Sequence, residues 1–314
     1  MHIRQLLTHY PHAAATGVPD WMLGYYKRYA ISFYNGQTDT DTHVCWFQSR
    51  NFTIDLRLPK VCEQLPAKPW AAYSREELQV LADYEGWEAP CEWRDELLSW
   101  QNDTSHQLHN RWQEPAQLRR IGNCMIEFSP SGAYVEDWRL QVSAPGPLVG
   151  LRLIHERECE TGHVRHRGGG LILCGDYAAL VLGRANPIAA PSPNYLRELA
   201  DQYVGNAEQL SALFGAETSV ARGDLNEGYE IFLSTRPGRA GESLLPLDGF
   251  AWRAETGQLV QRLSVDGVLC ERVFDVDTVE PLCDFNQSTP TSPESERWYQ
   301  QETQTLTRYT RVVQ

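Results

Sequence analysis

The chain has 314 residues, 42% hydrophobic and 22% charged, a globular balance that supports a real core and about two domains or one large all-β domain. Its net charge of −13 comes without a dense lysine or arginine stripe, which argues against a nucleic-acid partner. No run approaches the ~20 apolar residues that span a bilayer, so no membrane association is expected. "MHIRQLLTHYPHAAATG" lacks the apolar core of a secretory signal, so a cytoplasmic location is expected.

Strand signals dominate from the start. "GYYKRYAISFYNG" alternates bulky and polar residues and ends in the turn dipeptide Asn35-Gly36. "THVCWFQS" and "FTIDLRLP" form a hairpin through Arg50 and Asn51, and Pro59 ends the run. Ser74 and Glu77 make a capping box for a helix whose apolar face is Leu78, Leu81 and Tyr84, with Gly86 as its stop. "MIEFSPSGAYVEDWRLQV" is a second hairpin that turns at residues 129–132. "LVGLRLIHERE" and "HVRHRGGGLILCGDYAALVLGR" continue the sheet. The Pro-rich stretch 186–193 reads as a domain boundary.

Pro193 suits the first turn of a following helical stretch, which Gly205-Asn206 breaks in two. Strands return in "YEIFLSTRP", "GFAWRAETGQLVQRLSVDG" and "CERVFDVDTV", with Glu255-Thr256-Gly257 and Asp266-Gly267 as turns. "NQSTPTSPESE" is a solvated linker, and "LTRYTRVV" reads as an edge strand. Hairpins without βαβ alternation predict a mainly β, antiparallel fold. It would hold two barrel or half-barrel units with short helical inserts. The expected units are 1–185 and 186–284, meeting near 185–195, with 285–314 as linker and tail. Eight scattered cysteines (Cys45, Cys62, Cys91, Cys124, Cys159, Cys174, Cys270, Cys283) are expected as thiols.

The order of "HVCWFQS…FTIDLRLP", "YVEDWRLQ" and "LILCGDYAALVLGR" resembles a poorly characterised family of fungi and bacteria. Its yeast member is named as a casein-kinase-interacting protein. The resemblance implies two lipocalin-like (calycin-type) units in one chain, and the family's name suggests a protein partner. It carries no catalytic residues with it.

The stretch "AYVEDWRLQ" raises the question of a site. Alternation puts Tyr134, Glu136, Trp138 and Leu140 on one face and Val135, Asp137 and Arg139 on the other. A carboxylate on the more aromatic, inner face needs an arginine, a raised pKa or a wet cavity. Arg57 is the first choice of partner and Arg28 the second. The face could also be inverted, because a four-residue turn would set Ile126 opposite Val135.

In "WFQ…TIDLR", Trp46 and Gln48 share a strand face, as do Asp55 and Arg57. Aromatic walls with a few polar groups suit a small-molecule pocket, whereas an outward Asp55–Arg57 pair would be a solvated surface contact. His155, Cys159, His163 and His166 have metal-binding side chains but no established zinc spacing. They read as a hairpin tip, and neither metal nor cofactor is implied.

The sequence therefore predicts an apolar or aromatic ligand held in an interior cavity. Its lining would be Arg28, Trp46, Gln48, Arg57, Tyr134 and Trp138. If the barrel is instead a lyase, isomerase or hydratase, Glu136 is the general acid or base. A protein-interaction scaffold is the third reading.

Overall fold

The computed structural model describes residues 1–60, 64–101, 103–109, 114–189, 192, 195–286 and 291–309. Pro193, at the expected helix start, and Cys62 lie outside the described residues. The chain builds two antiparallel sheets. The first contains β1 (Gly24–Phe33), β2 (Thr38–Asp39), β3 (His43–Gln48), β4 (Phe52–Leu58) and β5 (Glu85–Arg94). It continues through β6 (Leu97–Trp100), β7 (Thr104–Ser105), β8 (Ala116–Ile121), β9 (Cys124–Phe128) and β10 (Tyr134–Leu140). Pairing of β10 with β1 closes eight of these strands into a barrel.

The second sheet has nine strands: β11 (Gly146–Glu158), β12 (Val164–Arg167), β13 (Gly169–Cys174), β14 (Tyr177–Leu182), β15 (Glu217–Asp224), β16 (Gly228–Ser234), β17 (Phe250–Arg253), β18 (Gln258–Val265) and β19 (Val268–Cys283). It runs from β16 to β17 without closing among the described residues.

The hairpins follow from their turns. Asp95 and Glu96 both take positive φ (52° and 63°), the backbone of a two-residue turn whose twist matches that of the β5–β6 strands. The β9–β10 turn is wider than four residues: the Ser129 amide donates to the Tyr134 carbonyl, and Val135 pairs with Phe128 rather than Ile126. That register keeps Glu136 and Trp138 buried and turns Arg139 out, so the inverted face is not adopted.

The division between the sheets differs from the expected one near 185–195. It falls at residues 141–145, between β10 and β11, so 146–185 belongs with the later strands. The reason is the long β11–β19 ladder, from Gly146↔Cys283 to Glu158↔Cys270, which pairs segments far apart in sequence. Gly86 also departs from its expected role. Helix α2 (Arg75–Ala82) ends before it, and Gly86 lies in β5, where a Cβ would come within 2.5 Å of the Thr218 side chain. Its small size lets the barrel wall approach the second sheet.

That approach joins both sheets in one core. Tyr25, Phe47, Ile54 and Leu56 on the barrel wall share it with Ile172, Ala179, Val181 and Val220 of the second sheet. Leu196 and Leu199 of α3 (Tyr195–Gln202) and Leu210 and Leu213 of α4 (Ala207–Leu213) extend it. The other face of the second sheet is filled by its own apolar residues and by Ile3, Leu6 and Leu7 of α1 (Ile3–His9).

The first part of the expected edge strand, up to Tyr309, is helix, and residues 310–313 of it lie outside the described residues. That helix is α5 (Pro293–Tyr309), with Pro293 and two acidic residues in its first turn. Phe285, before it, is buried. The seven described cysteines are free.

Candidate functional site

The barrel interior is built of tryptophans at one level and charges at another. Trp46 meets Trp138 edge-to-face with ring centroids 5.0 Å apart, and Trp46–Trp100 and Trp87–Trp100 continue the contact. Such pairs add ~1 kcal/mol beyond the area they bury. Trp46 Nε1 donates to Gln48 Oε1 (2.9 Å), and Gln48 is further tied to Ser49, Phe52, Thr53 and Cys91. Gln48 is therefore consumed by the scaffold and does not reach Glu136.

Glu136 is 1% exposed and faces inward, as its alternation predicts. Arg28 Nη1 donates to its Oε1 at 2.9 Å, and Arg28 Nη2 donates to Asp39 at 2.6 Å. Arg57 Nη1 is 4.0 Å from the same Glu136 oxygen, while Arg57 Nε donates to Asp55 at 2.9 Å. Arg28, not Arg57, is thus the close partner. The ladder explains this, since β1 pairs directly with β10 and β4 does not. The Asp55–Arg57 pair lies inside the barrel, with side chains 2% and 10% exposed, rather than on a solvated face.

A second carboxylate completes the network. Glu127 on β9 is the direct cross-strand partner of Glu136. It accepts from the Tyr134 hydroxyl and from Trp138 Nε1, both at 3.0 Å. Burial, and then the charge of Glu136, push its carboxyl well above the usual range, against the pull of Arg57. Burial likewise raises Asp55 against Arg57. Two like charges side by side in low dielectric cannot both ionise cheaply, which favours the protonated form of Glu127. Sequence reasoning missed it, although the alternation of "CMIEF" beside "YVEDW" carried the signal.

Trp46, Tyr134, Trp138 and Arg57, with Asp55, Glu127, Trp87 and Trp100, do line a common void, but its volume is about 10 Å³. That is room for about one water, too little for an apolar or aromatic ligand. A larger space lies at the mouth. A cleft of about 470 Å³ opens between the ends of β1, β4 and β5 and the end of α2. Ile31, Phe33, Leu58, Val80 and Tyr84 form its apolar walls; Arg28, Arg57, Asp39 and Glu85 bring charge to it. Of the sequence-predicted residues, Arg28 and Arg57 reach this cleft, and Trp46, Tyr134 and Trp138 lie in the interior. Comparison of the chain with known protein families, with curated proteins and with solved structures finds no match.

Proposed function

We propose that the chain is a calycin-type binding protein that takes a small apolar or aromatic molecule at the barrel mouth. One observation carries this reading: an apolar-walled cleft of ligand size ends on two arginines, held from behind by Glu136 and Asp55 and, for Arg28, also by Asp39 at the cleft itself. Glu136 and Asp55 hold the guanidiniums in place, so a ligand's polar end meets pre-ordered donors and little entropy is lost on binding. Native mass spectrometry of protein purified from its own cells tests this. A retained small molecule in the wild type, lost in a folded Val80→Trp variant that fills the cleft, supports the reading. Retention unchanged by Val80→Trp, or no retained molecule, overturns it.

The opposed Glu127–Glu136 pair favours a second reading, an acid–base enzyme whose substrate would have to reach past the mouth to the buried pair. A protonated carboxyl beside an ionised one is how one site holds both an acid and a base near neutral pH. In this reading Glu127 supplies the proton, with Glu136 directly across the ladder from it.

A further inference from the structure

The second sheet gathers three arginines around one carboxylate. Glu271 on β19 pairs across the ladders with Arg157 on β11 and Arg262 on β18. Arg253 reaches it from β17. Arg157 Nη2 donates to Oε1 at 2.9 Å; Arg253 Nη2 stands 3.0 Å and Arg262 Nε 3.6 Å from Oε2. The carboxylate is 5% exposed, while the three arginine side chains are 46%, 38% and 68% exposed. Arg167 lies across from His155 on the neighbouring β12, two residues before Arg157. On this sheet face, then, Arg157, Arg167, Arg253 and Arg262 stand against Glu271 and Asp275, in a chain whose net charge is −13.

One carboxylate can satisfy one guanidinium fork fully, not three. The arrangement is costly for arginines alone and favourable for arginines awaiting an anion. Glu271 tethers the guanidiniums, so they are gathered before any ligand arrives and their remaining N–H groups stay available. A second, independent feature points the same way. His155 Nε2 is buried and has no hydrogen-bond partner among the described residues. Burial first, and then the charges of Arg157 and Arg167 against the pull of Glu271, hold its imidazole below its ordinary pKa.

We propose that Arg157, Arg253 and Arg262, with His155 beside them, form a binding site for a phosphate group, either inorganic phosphate or a small phosphate monoester. Guanidinium forks match phosphate oxygens in geometry and supply the charge. The anion would neutralise the field around His155 and raise its proton affinity, which its ring signals would report. The site is separate from the barrel mouth and does not depend on what binds there.

Inorganic phosphate and phenyl phosphate are titrated into the full chain at neutral pH and constant ionic strength. The His155 imidazole signals are followed by NMR. A saturable His155 response at millimolar phosphate is expected, and a sodium chloride titration should not reproduce it. The Arg157→Gln/Arg262→Gln variant should lose roughly tenfold or more in affinity per arginine removed. Its melting temperature, measured without phosphate, shows that it is folded. Tighter binding of phenyl phosphate assigns the site to a monoester; tighter binding of inorganic phosphate assigns it to the free ion. A His155 response equal to that with chloride, or an affinity unchanged in the double variant, overturns the proposal.

Discussion

Glu127 and Glu136 face each other across one ladder, yet the same substitution should affect them differently. Glu136 is the buried counter-charge of Arg28, whose side chain is itself 5% exposed. Glu136→Gln leaves that guanidinium with only the partly exposed Asp39, and should cost about 3 kcal/mol of folding stability. Burial and the facing Glu136 favour the protonated form of Glu127. In Glu127→Gln the amide oxygen can still accept from Trp138 Nε1 while the amide nitrogen donates to the Tyr134 oxygen. The expected loss is about 1 kcal/mol or less. Urea unfolding of both variants at pH 7 checks the contrast, and equal losses would mean that Glu127 is ionised in the folded barrel.

Among the elements, α2 sets one wall of the mouth through Val80. Its start is fixed by the reciprocal bonds of Ser74 and Glu77, so Ser74→Ala should destabilise by about 1 kcal/mol, seen as a lowered melting temperature. This helix was legible because a capping box is a local signal. So were the alternation of residues 133–141 and the hairpin turns, which depend on neighbours in sequence. The sheet boundary was not legible, because β11 is claimed by β19 at long range and no nearby residue announces that pairing. Gly86 was misread for the same reason: what demands a glycine there is Thr218, from the other sheet. In the tail, "LTRYTRVV" alternates like a strand, but the upstream Pro293 and the acidic first turn start a helix that takes in its first residues, up to Tyr309. The mouth cleft itself draws on β1, β4, β5 and α2 together, a meeting that spacing along the chain does not encode.

At the scale of the whole molecule, the contact between the two sheets contains a titrating group. Glu88 on β5 is fully buried and accepts from Arg152 of β11 at 2.6 Å. Burial pushes its carboxyl up to about 7, against the attraction of Arg152. A carboxyl whose pKa is raised on folding contributes stability that is full below its unfolded pKa and is lost as pH rises through the folded one. Between about pH 4.5 and pH 7 this single group should therefore remove on the order of 3 kcal/mol. Glu88→Gln should flatten that part of the stability profile, so the variant gains on the wild type as pH rises towards 8. Denaturant midpoints measured across this range test it; parallel profiles for the two proteins would show that Glu88 is ionised throughout.

Helix α1 packs into the second sheet's core although the whole barrel lies between them in sequence. The Ile3 amide bonds to the Leu247 carbonyl, and His12 bridges to Val279 on β19. The barrel is thus an insertion within the second unit, and the first helix made must wait for the last strand. At roughly 5–20 residues per second of synthesis, Ile3, Leu6 and Leu7 stay exposed for tens of seconds while the barrel can already close beside them. A nascent chain stalled before β19 emerges would leave the apolar face of α1 undocked beside a closed barrel, and that face is one a chaperone would hold.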